Sequence, residues 1–238
     1  MAINSDEQLN AALSWTKALT KNKDIVTENS NRLIPKGSKL NLKNPPRIKR
    51  KLSAWKGRTD RQAFWLKHNL IKKTLPGEAG EIFDELKMAR AEILGSKEYD
   101  GAKLNIQNFS IDVTKNSADD EIQLSTLINL WFKNLNGFKL DKDQKRLIDQ
   151  IPNINSRNSQ KISEDMISSI EDEESFLKSS LSLLNALKLL EQEKSEENEE
   201  NEKFDEQSDE NEESLSDDMN EIESCLLYTS PSPRDLST

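Results

Sequence analysis

Apolar residues recur at helical spacing along most of the first 190 positions, and polar breaks divide them into separate elements. Leu9, Ala12, Leu13, Trp15 and Leu19 follow Ser5-Asp6-Glu7-Gln8, a run with the residue types of a capping box, and predict a helix to about Thr20. Residues 24–27 and 32–34 are short β-prone pieces around a polar 28–31 and read as a small β-hairpin. Residues 35–46 mix Pro, Gly, Ser, Asn and Lys and read as an extended linker, because Pro45 and Pro46 lack the amide hydrogen a helix interior needs.

Beyond that linker the helical pattern strengthens. Residues 52–75 form a basic helical stretch that stops at Pro76-Gly77, with Trp55, Phe64, Trp65, Leu66 and Leu70 among the charges. Residues 78–94 place Ile82, Phe83, Leu86, Ala89, Ile93 and Leu94 on one face, with acids in the first turn and Gly95 as a stop. Residues 95–118 contain Gly, Asn and Asp and read as irregular, apart from an apolar piece at 104–106. A further helix over 119–134 has the widest apolar surface, which makes it the expected centre of the core. Residues 141–150 read as a helix halted by Pro152, residues 153–160 as a linker, and residues 163–193 as one long helix.

Composition changes this picture at the C-terminal end. Hydrophobic residues make up 34% of the 238, below the roughly 45–50% of a globular domain, so one packed core cannot span the whole chain. Residues 1–116 hold 22 basic and 13 acidic residues, net +9, whereas residues 117–238 hold 12 and 30, net −18. Residues 191–223 alone carry 17 acids and 2 bases, a composition that repels itself and has little to bury. The expected architecture is mainly α: a multi-helix domain over 1–190 with the small β-hairpin, then a disordered acidic linker over 191–224. From Cys225 the sequence turns abruptly apolar and Pro-containing, and Cys225 to Asp235 resembles the translation of a sequencing-library adapter. On that reading residues 225–238 are not native, and the natural chain was cut near Ser224.

The chemistry available is narrow. One Cys and one His exclude a disulfide framework and a Cys/His zinc site. No run reaches the roughly 18 apolar residues of a membrane span and no signal-peptide pattern opens the chain, so a cytoplasmic location is expected. Neither G-x-x-x-x-G-K-[ST] nor G-x-G-x-x-G occurs, so no backbone cradle for phosphates is expected. His68 stands among basic residues and reads as a surface histidine; Asp84/Glu85 and Asp119/Asp120/Glu121 read as solvated helix faces. Residues 36–73 hold thirteen Lys/Arg against the single Asp60, with aromatics interleaved. That pattern permits nucleic-acid binding, but Trp55, Phe64 and Trp65 fit a buried face equally well. No catalytic, cofactor-binding or metal-ligating residue is expected in this chain.

One set of residues carries a resemblance. Gly57-Arg-Thr-Asp60, Ile82-Phe-Asp84, Ala89-Arg-Ala-Glu-Ile-Leu-Gly95, Tyr99-Asp-Gly101 and Leu104-Asn105 are similar, in order and spacing, to the N-terminal region of the CobT family, the T subunit of the aerobic cobalt chelatase of cobalamin biosynthesis. The resemblance covers about residues 5–223, with its specific residues in 57–106. Lys87 and Met88 depart from the family's usual Glu-Gln, and Thr59 from its usual Ala. The resemblance implies a non-ATPase subunit of an ATP-dependent chelatase that inserts Co²⁺ into hydrogenobyrinic acid a,c-diamide. Its implied partners in a hetero-oligomer are an AAA+ ATPase subunit and a large corrin-binding subunit, and the complex is expected to use ATP, Mg²⁺ and Co²⁺. The family's C-terminal von Willebrand A-type domain, with its D-x-S-x-S motif, is not found in this sequence.

Two sets of residues follow from this reading. Lys49, Arg50, Lys51, Lys56, Arg58 and Arg61 are the candidate docking cations. Gly57, Asp60, Phe83, Asp84, Arg90, Glu92, Gly95, Gly101 and Asn105 match the family signature and are expected to be structural, Phe83 on the buried face and Arg90 and Glu92 in ion pairs with neighbouring helices. The alternative is a stand-alone interaction protein, or one associated with nucleic acid, built from a basic module and an acidic tail.

Overall fold

The structure, a computed structural model, describes residues 5–30, 32–116 and 122–190, with the side chains of Lys49 and Arg50 outside that description. All of these residues fall in one compact unit, residues 1–196. The expected acidic linker and the adapter-like residues 225–238 lie outside the described residues.

The elements run α1 (Ser5–Thr20), β1 (Val26–Glu28), β2 (Lys39–Asn41), α2 (Lys49–His68), α3 (Gly77–Glu98), α4 (Asp100–Asn116), α5 (Leu124–Leu135), α6 (Lys142–Ile148), α7 (Arg157–Ser168) and α8 (Glu173–Ala186). The mainly α architecture is the expected one. Its hub is α3 rather than α5. From Ala79 to Ser96 nearly every residue of α3 is buried, because α2, α4, α5 and α8 all pack on it. Ile82, Phe83, Leu86 and Ala89 meet Phe64, Ile106, Ile128, Phe132 and Phe176 in the main core. A smaller core holds Ala12, Ile25, Leu40, Leu42 and Trp55 under α1 and the sheet.

Several expectations are corrected by the packing. The β element is a parallel pair, Val26 to Glu28 against Lys39 to Asn41, and not a hairpin. Residues 32–34 stay irregular because their polar groups are taken elsewhere: Arg58 binds the Ser30 and Arg32 carbonyls at 2.7 and 3.0 Å, and Asn41 Nδ2 binds Ile34 O at 3.1 Å. Leu40 and Leu42 are nearly buried out, so the second strand forms where the smaller core needs it. The outer side of β2 is closed by Gln62, whose side-chain amide donates to Asn41 O at 2.9 Å and accepts from Asn41 N at 2.6 Å.

Residues 100–116, expected to be irregular, form α4. Its buried positions Ala102, Ile106 and Phe109 follow the helical repeat, but Gly101, Asn105 and Asn108 between them disguise it. Residues 163–193, expected as one helix, divide in their described part between α7, to Ser168, and α8, Glu173–Ala186, with 191–193 outside the described residues. The chain turns at 169–172, where Arg90 captures Ile170 O at 2.8 Å and Glu171 O at 3.4 Å, and the Asp172 side chain caps α8 by accepting from Ser175 N at 2.7 Å. Residues 153–160 are likewise only partly linker, since Ser156 caps α7 and Arg157 opens it. Helix α2 ends at His68 and not at the expected Leu75, α3 runs through Gly95, the expected stop, to Glu98, and Asp141 with Gln144 forms a complete capping box on α6.

Two glycines fix how closely the helices approach. A Cβ on Gly57 would lie 2.0 Å from Asn105 O, so α2 can cross α4 at this distance only without a side chain there. A Cβ on Gly95 would stand 2.2 Å from the Phe64 ring. Gly101 is different, with nothing within 4 Å of an added Cβ. Gly95→Ala should therefore cost about 1–3 kcal/mol of unfolding free energy through overpacking, while Gly101→Ala should change it by less than about 1 kcal/mol. Equal effects in denaturant titrations would contradict this account of the signature glycines.

Candidate functional site

Arg61, on α2, points into the space between four helices and is almost closed from water. Its Nη2 donates to both oxygens of Glu85 at 2.6 Å, and its Nη1 donates to Glu92 Oε1 at 3.1 Å. Lys133 of α5 approaches from the other side, its Nζ 2.9 Å from Glu92 Oε2 and donating to Ser110 Oγ of α4 at 2.9 Å. Asn129, one turn before Lys133, donates to the Glu85 backbone carbonyl at 3.1 Å. Two cations and two carboxylates thus cancel in the interior, and each of α2, α3, α4 and α5 contributes a group.

Burial alone pushes the Arg61 guanidinium down, but Glu85 and Glu92 together hold it above its ordinary value. Lys133 is pushed below its ordinary value by burial, against the pull of Glu92. The cluster is largely closed from solvent, with the Glu85 side chain 11% exposed. What it can do is lock the angle and register of four helices. Glu85 is therefore not the solvated carboxylate that its position beside Asp84 suggested. Only Asp84 is partly exposed, and it pairs with Lys87 at 2.7 Å.

The remaining signature residues divide between the two helix crossings. Asp60 is buried at the α2–α4 contact, where Asn105 Nδ2 donates to its Oδ2 at 2.9 Å. The bonds continue from Ser53 Oγ to Asn105 Oδ1 and from Asn108 Nδ2 to Ser53 Oγ, both 2.9 Å. Desolvation raises the Asp60 carboxyl to about 6, with Asn105 and Lys56 acting the other way. Arg90 of α3 reaches the 169–172 turn and stands 3.6 Å from Glu173 Oε1, while donating to His68 O at 3.1 Å. Phe83 is fully buried. The structure brings Gly57, Asp60 and Asn105 together, leaves Gly101 apart from them, and seats Glu92 in the charge cluster.

The six candidate docking cations separate in the same way. Lys51 and Lys56 are exposed and have no carboxylate within 4 Å among the described residues. Arg58 and Arg61 are corrected: both are buried, Arg61 in the charge cluster and Arg58 on the carbonyls of Ser30, Arg32 and Asn41. A partner's surface cannot reach either. Lys49 and Arg50 lie in the first turn of α2. His68 is also less exposed than expected. Its Nε2 is 3.4 Å from Glu98 Oε1, and burial, with Lys67 and Arg90 nearby, pushes it below its ordinary value against Glu98. Trp55 and Phe64 turn inward, Trp55 donating to Lys43 O at 2.7 Å, so neither offers a face on which a base could stack.

Sequence reasoning passed over Lys133, Asn129 and Ser110 and read Glu85 as solvated. A signal was available in the first two: an Asn and a Lys four residues apart, on one face of an otherwise apolar helix, must find partners inside. Among the described residues no group of three or more His, Cys, Asp or Glu is placed to hold a metal ion, and no helix is long and apolar enough to cross a membrane. A cavity of about 1040 Å³ opens between α5 and α6, with Leu124, Leu127, Leu147 and Pro152 in its lining.

Two outcomes follow for the buried charges. Glu92→Ala strands two cations and should cost about 3–5 kcal/mol of unfolding free energy. Adding Lys133→Met to it removes a whole pair and should recover part of the loss, and no recovery would mean that Lys133 is not held by Glu92. Asp60 works in the opposite sense. Its folded value lies above the ordinary 3.8, so its contribution is full below about pH 4 and is lost as pH rises through about 6. Asp60→Asn, which keeps an acceptor for Asn105, should therefore raise stability at pH 8 by up to about 3 kcal/mol and by little at pH 4. A destabilised variant at pH 8 would show that the carboxylate gains more from its neighbours than it loses to burial.

The signature residues are thus mostly the groups that close the α2–α3–α4–α5 core. The model of one protein family, described as cobalamin biosynthesis protein CobT, matches residues 4–224. No curated protein and no solved structure matches the chain. Since the family match runs through every described helix and strand, the chain belongs to the CobT family of cobalamin biosynthesis.

Proposed function

We propose that this chain is a non-ATPase subunit of an ATP-dependent cobalt chelatase, the enzyme that inserts Co²⁺ into hydrogenobyrinic acid a,c-diamide, and that it acts by docking with an AAA+ ATPase subunit. A large corrin-binding subunit completes the hetero-oligomer. ATP and Mg²⁺ serve the ATPase partner, Co²⁺ is the metal inserted, and the cytoplasm is where the assembly works. The single observation that carries this reading is the family match over residues 4–224. The chemistry of the described residues agrees with it, because their buried ionic groups hold the helices together and leave assembly as the contribution of this module.

The docking surface is drawn on the exposed cations. Residues 29–59 contain no acid, and Lys36, Lys43, Arg47, Lys51 and Lys56 are exposed there. The backbone that presents them is held: Arg58 and Gln62 bind Asn41 O, and Trp55 binds Lys43 O. A fixed basic surface speeds encounter with an acidic partner and selects its orientation, within the ~8 Å screening length of physiological salt. Nucleic acid is the weaker partner, since the interleaved Trp55 and Phe64 are buried and the chain as a whole carries −9.

Lys43→Glu, Lys51→Glu and Lys56→Glu together should leave the fold intact and slow association with the ATPase subunit at least about tenfold at low salt, with the difference shrinking as salt is added. Cobalt insertion by the reconstituted three-subunit enzyme should fall in parallel when this subunit is limiting. Unchanged association at low salt would remove this surface from the docking site. Cobalt insertion that proceeds equally well without the chain would remove the chelatase reading itself.

A further inference from the structure

Arg61 is one partner short. Its Nη1 and Nη2 atoms bond Glu92 and Glu85, but its Nε–H, equally closed from solvent, meets no acceptor in the protein. Buried donors without acceptors are costly and rare, and the usual remedy is an internal water. Against Arg61 lies a small pocket of about 20 Å³, partly open to solvent past half-buried Leu33, Val113 and Thr126, whose inner walls include Glu85, Ser110 and Asn129. A single water needs roughly 10–15 Å³ of such space and two to four polar partners.

The walls supply those partners. The Glu85 carboxylate has about four lone-pair sites, of which Arg61 Nη2 occupies two. The Ser110 hydroxyl accepts from Lys133 and keeps its own proton to donate. Donors and acceptors therefore face one space too small for any organic ligand. A halide is of similar size, but the surrounding charges already cancel, and an added anion beside Glu85 would have no counter-charge.

We infer that one ordered water occupies this cavity and completes the charge cluster, accepting from Arg61 Nε–H and donating to Glu85. The water is then a fifth member of the cluster, a further bridge between α2 and α3 beside the direct bonds of Arg61 to Glu85 and Glu92. This inference does not depend on the chelatase reading.

The test uses the full chain with ¹⁵N-labelled arginine. A rotating-frame cross-peak from the Arg61 Nε–H to water, together with at least one long-lived water in ¹⁷O relaxation dispersion, is the expected result. Thr126→Leu, which fills the cavity, should abolish the cross-peak and reduce the long-lived waters by one. Absence of the cross-peak in the parent chain overturns the inference, as does an anomalous peak in the cavity of bromide-soaked crystals. Should Thr126→Leu fail to fold, the parent spectrum decides the matter alone.

Discussion

Four largely buried charges that cancel one another set the terms on which these helices pack. Arg61, Glu85, Glu92 and Lys133 come from α2, α3 and α5, and Ser110 of α4 holds the lysine in place. Moving such groups out of water costs several kcal/mol per ion in real proteins, and only well-made mutual contacts offset it. An arrangement of that kind tolerates little change in angle or register. Apolar packing alone accepts many nearby solutions; a buried guanidinium held by two carboxylates accepts few. The glycines act in the same direction by setting the separation at which the charged groups meet. Gly57 lets α2 lie on the backbone of α4, and Gly95 leaves room for the Phe64 ring.

Charge in this module is sorted by depth. Arg58, Arg61, Arg90 and Lys133 are committed to carbonyls or carboxylates inside, whereas Lys43, Arg47, Lys51 and Lys56 remain outside. The sequence places both kinds side by side on α2, where Lys56 is solvated and Arg58 is not. The interior set determines shape, and the exterior set determines the sign of the surface that this shape presents. A long basic stretch is therefore a poor measure of available charge unless its helical face is known.

How much of this could be read beforehand depended on where the deciding contacts lay. The existence of α1 and α3 follows from local spacing and the start of α6 from its capping box, and so these were legible. The turn between α7 and α8 was not, because it is held by Arg90, some eighty residues earlier in the chain. The parallel strand pair was hidden for the same reason: Arg58 and the smaller core decide which segment can extend. α4 was masked by polar residues that turn out to serve its crossing with α2. The signature residues could be located by resemblance, but their linkage through Lys133 required the fold, since Lys133 lies outside the signature segment.

The amide of Gln62 occupies the position that a third strand would take beside β2, donating and accepting as a neighbouring peptide would. The edge of the sheet is in this way finished by a side chain of a rigid helix. An open edge invites any extended segment, including that of another copy, to add on and continue the ladder. By spending one glutamine on both bonds of Asn41, the module closes the β2 edge to further pairing at that residue.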